Sequence, residues 1–148
     1  MGKHVDLIMN YSCNLNCNFC LGEPSNRNKN YSFSVLKSSI INLKKQGYDS
    51  ISLNGGEPTI RADLINLIKF ARYLGFKKIK LQTNGLMLSK EDYLKKILEA
   101  GVNSIGITIQ SDRKIDYEHI TRLDGSFDLV INALKNLKKN KVNVESDI

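Results

Sequence analysis

Three times in this chain a glycine is followed by an apolar residue, two polar residues and an isoleucine. The copies are Gly47-Tyr48-Asp49-Ser50-Ile51, Gly75-Phe76-Lys77-Lys78-Ile79 and Gly101-Val102-Asn103-Ser104-Ile105, spaced 28 and 26 residues apart. A degenerate fourth reads Asn140-Lys141-Val142-Asn143-Val144. Glycine ends a helix because it enters the left-handed backbone region without strain, and asparagine is the next choice, which assigns the fourth turn to Asn140. Each isoleucine then opens a strand, expected over 50–53, 79–82 and 105–110, with an earlier buried strand expected over 5–9. Amphipathic helices are expected between them. The first starts at Ser34 as its cap, with Val35, Leu36, Ile40, Ile41 and Leu43 apolar. The others cover 62–74, 90–100 capped by Ser89, and 127–139 capped by Ser126. Strand alternating with helix makes a parallel sheet with right-handed crossovers. The expectation is an α/β fold, a partial (β/α) TIM-type barrel of about four β/α units and the start of a fifth strand.

The three cysteines, Cys13, Cys17 and Cys20, stand together in Ser12–Cys20 (SCNLNCNFC), directly after the first expected strand. Asn14, Asn16 and Asn18 break this stretch and tolerate turn conformations, so the loop can fold back and aim three sulfurs at one point. Three thiolates do not complete a tetrahedral structural zinc site. They suit an iron–sulfur cubane held at three irons, and because such clusters normally take four thiolates, something else must fill the last position. His4 is a poor fourth ligand, since its strand would have to reverse to present it. Cysteines in a ligand spacing, without disulfide partners, fit a reducing cytoplasm.

In a barrel of this kind chemistry sits at the C-terminal ends of the strands, and the other unusual segments fall there. After the second strand comes Asn54-Gly55-Gly56-Glu57-Pro58-Thr59, whose glycines let the backbone pass close to a ligand while Pro58 fixes the exit direction. After the third comes Gln82-Thr83-Asn84-Gly85, an ordinary Asn-Gly turn by itself. After the fourth, alternation puts Thr108 and Gln110 on one face, polar groups at a strand end that want a polar ligand. Asp112 reads as a loop aspartate capping the next turn.

With Phe19 between the last two cysteines, the CxxxCx(aromatic)C pattern, followed on the next strand by Gly55-Gly56-Glu57-Pro58, resembles the radical S-adenosylmethionine (SAM) superfamily. That resemblance implies a [4Fe–4S] cluster on Cys13, Cys17 and Cys20, with SAM chelating the open iron through its amino and carboxylate groups. It implies SAM contacts from Phe19, from Gly55, Gly56, Glu57 and Pro58 around the methionine amino group, from Thr83 and Asn84, and from Thr108 and Gln110 toward the ribose and carboxylate. It implies a one-electron donor such as flavodoxin or ferredoxin, and hydrogen abstraction from a small-molecule or peptide substrate that the motifs do not name. Alanine at Gly56 is expected to spare the cluster and weaken SAM binding. The stretch from Asp116 to Phe127 also resembles a family segment, within which His119 and Arg122 read as surface residues. The family barrel has six units. This chain supplies four and a fifth strand, so the expectation is either a truncated piece or a minimal member, a homo-oligomer completing the open barrel.

At 148 residues the expectation is one domain over 1–148. No apolar stretch approaches the ~20 residues of a membrane span. The net charge of +7 comes from lysine pairs such as Lys44–Lys45, Lys95–Lys96 and Lys138–Lys139 on expected helices. Without aromatic residues interleaved, these read as solvated faces, and a nucleic-acid partner is not expected. The polar run from Gly22 to Asn30 reads as a loop that orders with the cofactors. A non-catalytic module binding a cluster, or zinc, is the alternative reading.

Overall fold

Alternation along the strands divides the sheet into two unlike faces, and that division places everything else. The computed structural model describes residues 2–20 and 24–146. Within them, strands β1 (Lys3–Ile8), β2 (Tyr48–Asn54), β3 (Lys78–Thr83), β4 (Ser104–Ile107) and β5 (Val144–Ser146) form one sheet in the order β1-β2-β3-β4-β5. Every neighbouring pair is parallel. Ile51, Leu53, Ile79, Leu81, Ile105 and Ile107 are completely or almost completely buried on one face. They form a single core with Leu36 and Ile40 of helix α1 (Phe33–Lys45), Leu67 and Ile68 of α2 (Leu64–Tyr73), Leu94 and Ile97 of α3 (Glu91–Ala100), Tyr117 of α4 (Lys114–Thr121), and Val130 and Leu137 of α5 (Ser126–Lys139). The alternate positions, among them Ser50, Ser52, Lys78, Lys80, Gln82 and Ser104, line the opposite face with polar groups. This is the alternating, parallel α/β arrangement of a partial barrel.

The recurrent glycines behave as their motif requires, with Gly47, Gly75 and Gly101 at φ +86°, +87° and +126°. In the fourth copy the left-handed residue is Lys141 (φ 52°), whereas Asn140 sits at φ −88°. The repeat therefore aligns on Lys141-Val142, one residue later than the asparagine suggested. Ser32, whose hydroxyl accepts from the Val35 amide at 3.3 Å, caps α1; Ser34 lies inside the first turn. Ser89 turns back to the Leu86 carbonyl within the 3₁₀ turn Leu86–Ser89, so α3 starts without a side-chain cap and with Glu91 and Asp92 at its positive end. Ser126 is within α5, and its hydroxyl bonds that of Thr121 at 2.9 Å. β1 is an edge strand whose residues are exposed or half-exposed, and full burial begins only at Met9. His4 is exposed and pairs with Ser50 and Asp6. β4 ends at Ile107, and α4 occupies a stretch in which the sequence pattern assigns no helix.

The expected free loop over 22–30 is tied down where it is described. Tyr11 N donates to Lys29 O, Ser12 Oγ to Arg27 O, and Arg27 to Leu15 O. Gly22 and Glu23 lie outside the described residues, as do Asp147 and Ile148 of the last expected strand.

On the polar face Glu145 joins β5 to its neighbours, accepting from Lys78 Nζ at 2.6 Å and Ser104 Oγ at 2.8 Å and pairing with Lys80 Nζ at 3.0 Å. Bonds from Lys78, then Ser104 and Lys80, lower its pKa from 4.5 to about 2. A depressed carboxylate pKa adds stability that is present above the unfolded value and lost as pH falls through the folded one. The wild-type chain is therefore expected to lose stability between about pH 4.5 and 2 through this group. Glu145→Gln should flatten that part of the acid-unfolding profile and cost about 1 kcal/mol at neutral pH, measured by urea denaturation across pH. An unchanged profile contradicts the assignment.

Candidate functional site

The cysteine loop leaves β1 at the C-terminal edge of the sheet and is held on two sides. On one side, Gly56 N donates to Asn10 O at 2.7 Å and Glu57 N to Ser12 O at 2.8 Å. On the other, Asn16 N donates to Thr121 O at 3.2 Å and Asn18 N to Ile120 O at 3.0 Å, so the last turn of α4 grips the loop on either side of Cys17. Leu15 is buried beneath, and Cys13 and Cys17 pack half-buried against the core while Cys20 is exposed. All three thiols are free. Burial raises the Cys13 and Cys17 thiol pKa values, opposed first by backbone hydrogen bonds, from the Leu15 amide at Cys13, and then by the Arg27 charge.

A cavity of about 330 Å³ opens between this loop and the strand ends. Cys13, Cys17, Phe19 and Cys20 form one wall, Gly55 and Gly56 another, and Thr83, Asn84, Thr108 and Gln110 a third. Ten of the candidate positions named from sequence and family resemblance thus meet at one opening: three cysteines, Phe19, two glycines, and four polar residues from the ends of β3 and β4. Alternation identified Thr108 and Gln110 as sharing a face, and both reach the cavity although β4 ends before them.

Glu57 and Pro58 face away from it. Pro58 is buried at the start of a 3₁₀ turn. Glu57 is 1% exposed, and its carboxylate accepts from Thr59 N (3.0 Å), Thr59 Oγ1 (2.5 Å), Thr83 Oγ1 (2.6 Å) and Asn84 N (2.7 Å). Burial pushes its pKa up, and those four donors pull it down. The carboxylate joins the loops after β2 and β3, so what Glu57 offers the cavity is loop position. Asn84 passes the link on: its Nδ2 donates to Asn14 Oδ1 at 2.8 Å and points at Cys13 Sγ from 3.9 Å.

Gln82 and Asn54 also line the cavity, Gln82 Nε2 donating to Thr108 Oγ1 at 3.4 Å. The signal for both was available in strand alternation, which sets Gln82 with Lys78 and Lys80 and turns Thr83 with Ile79 and Leu81 toward the core. Asp112, His119 and Arg122 are exposed and outside the cavity lining. Arg122 takes a left-handed conformation (φ 56°) that ends α4.

The Radical SAM superfamily model matches residues 7–148. The chain belongs to the Radical SAM superfamily. It is 32% identical over 137 residues to a probable GTP 3′,8-cyclase of Saccharolobus solfataricus, covering 90% of this chain and 42% of the relative. It is 44% identical over 97 residues to a 7,8-dihydro-6-hydroxymethylpterin dimethyltransferase of Methanocaldococcus jannaschii, covering 63% of this chain and 19% of the relative. The fold is that of native anSMEcpe solved with AdoMet and a peptide bound (TM-score 0.77, 22% identity, 97% of this chain and 43% of that one). It is also that of HydG, a maturase of the [FeFe]-hydrogenase (TM-score 0.77, 14% identity, 97% of this chain and 34% of that one). The chain therefore spans less than half the length of these relatives.

Members of this superfamily are enzymes that use a [4Fe–4S] cluster and SAM. The residues present fit both groups. Three free thiols on one loop offer one thiolate to each of three irons. Among the described residues no three His, Cys, Asp or Glu side chains gather around a single ion, and a larger cluster bound one thiolate per iron needs no such gathering. The neighbouring cavity combines a mostly apolar lining with amide and hydroxyl groups from Asn54, Gln82, Asn84, Thr108 and Gln110, which suits a ligand with both apolar and polar parts. No helix among the described residues is long and apolar enough to cross a membrane.

The two glycines are required by the cysteine loop itself. A Cβ on Gly55 would come within 2.6 Å of Asn10 Oδ1 and 2.7 Å of Asn10 O, and one on Gly56 would press into the Tyr11 and Ser12 carbonyls just before Cys13. Because those contacts are backbone, Gly56→Ala is expected to displace the loop, lowering iron content as well as SAM binding and costing about 1–3 kcal/mol in urea unfolding. This revises the expectation that it spares the cluster. Iron content equal to wild type in a Gly56→Ala protein contradicts the revision.

Proposed function

We propose that this chain is the cofactor-binding core of a radical SAM enzyme, with Cys13, Cys17 and Cys20 as ligands of the cluster. The observation that carries the reading is the convergence of the three free thiols with Gly55, Gly56, Thr83, Asn84, Thr108 and Gln110 on one cavity at the C-terminal sheet edge. When bound, the cluster supplies one electron that cleaves the SAM sulfonium bond, yielding methionine and a 5′-deoxyadenosyl radical for hydrogen abstraction from a substrate.

The chain's own part is positioning. Three thiolates leave one iron position for SAM. The backbone of Gly55 and Gly56, held in place by the Glu57 carboxylate behind it, offers its polar groups to the methionine amino end. Gln82, Thr108 and Gln110 supply amide and hydroxyl groups on the opposite wall, and Phe19 covers the cavity on the cysteine side. Burial of Leu15 and half-burial of Cys13 and Cys17 limit solvent access to that corner.

Beyond the cavity lies the polar inner face of the sheet, which suits a polar substrate, small molecule or peptide, as in the relatives. A one-electron donor such as flavodoxin or ferredoxin completes the reaction. We also propose that residues 1–148 act as one domain, supported by a single core running from Met9 to Leu137. The chain's shorter length than its relatives favours a second reading, a core that binds cluster and SAM but needs more chain, or a second copy, for turnover.

Anaerobic reconstitution with iron and sulfide, then dithionite reduction with SAM, tests both readings. The first predicts a cluster EPR signal that shifts on adding SAM, release of 5′-deoxyadenosine, and loss of the full cubane in each of Cys13→Ala, Cys17→Ala and Cys20→Ala. A SAM-sensitive cluster without 5′-deoxyadenosine supports the second. A Cys17→Ala protein that still carries a full cubane overturns the ligand assignment.

A further inference from the structure

Tyr117 is an anomaly in the core. It is completely buried, its ring packs edge-on against Phe127 with centroids 5.6 Å apart, and its hydroxyl meets no hydrogen-bond partner among the described residues. A buried hydroxyl left unpaired is costly, and phenylalanine would fill the same space without that cost, so the oxygen needs an explanation. Its location supplies one. Tyr117 stands one helical turn before Ile120 and Thr121, whose carbonyls hold the amides of Asn18 and Asn16 on either side of Cys17. Tyr117 belongs to the same buried core against which Cys17 packs, and it lies one turn behind the two carbonyls that anchor the cysteine loop. Among the described residues, Cys17 is the ionisable group whose charge acts on the phenol.

We propose that Tyr117 is a positioning residue for the iron–sulfur centre, its hydroxyl reserved to donate a hydrogen bond to a sulfur at the Cys17 corner once the cluster is assembled. The inference rests on Cys17 being a ligand, as proposed above. A phenol keeps its hydrogen at neutral pH, so the group is able to donate. A donor at a cluster sulfur stabilises the more negative, reduced state and so raises the reduction potential. Asn84, aimed at Cys13 from 3.9 Å, already spends its amide on Asn14. Tyr117, by contrast, is wholly uncommitted among the described residues.

The test compares wild type, Tyr117→Phe and Cys17→Ala, each as the full chain. Two quantities are read without turnover: the cluster's midpoint potential from an EPR-monitored reductive titration without SAM, and the stability of the cofactor-free protein to urea. Tyr117→Phe is expected to take up iron and sulfide like wild type, to titrate at a more negative potential, and to be at least as stable as wild type when cofactor-free. An unchanged potential overturns the proposal. So does a Phe variant that cannot assemble the cluster, because a tuning donor is not needed for assembly, and so does a less stable cofactor-free Phe variant with no shift in potential, which would mark the hydroxyl as structural. A full cubane in Cys17→Ala signals a different failure, that of the ligand assignment.

Discussion

The site depends on one buried carboxylate. Glu57 comes from the loop after β2, yet two of its four donors belong to Thr83 and Asn84 at the end of β3. A carboxylate taken out of water is tolerated only when its oxygens are met by donors, and here donors from both loops are needed to satisfy it. The two loops are therefore locked in one relative position. The amides of Gly56 and Glu57 then fix the backbone of Asn10 and Ser12, and the Asn84 side chain reaches Asn14. Through that group and these bonds the ends of β2 and β3 are joined to the cysteine loop by the chain's own hydrogen bonds.

The second constraint is close approach. Backbone carbonyls of residues 10–12 lie where side chains at positions 55 and 56 would start, so the glycine pair and the cysteine loop are complementary surfaces. What looked in the sequence like room left for a ligand is first room left for the neighbouring loop. The ligand cavity is what remains beside it.

Much of the architecture was legible because its signals are local. Gly47, Gly75 and Gly101 announce helix ends, and the isoleucines after them announce strands, with no need of distant residues. The cysteine spacing and the glycine pair likewise sit within a few residues of their strands. The points that were missed are those decided by tertiary partners. The Glu57 carboxylate takes two of its donors from nearby Thr59, but the other two come from Thr83 and Asn84, 26 and 27 residues away, and those no local signal encodes. Helix α4 has only eight residues and a weakly amphipathic face; its stability comes from Tyr117 in the core and from bonds to the cysteine loop. Ser34, Ser89 and Ser126 each had a competing partner two to five residues away, which local cap rules do not rank. Gln82, by contrast, was within reach of strand alternation alone.

The loops around the site are held in place by the chain's own hydrogen bonds. Amide hydrogen exchange on the cofactor-free protein tests it most directly. Protection is expected at Asn16, Asn18, Gly56, Glu57 and Asn84, the amides that hold the loops together. Exchange at those five positions as fast as in an unstructured chain would contradict it, showing a loop that takes shape only around its cluster.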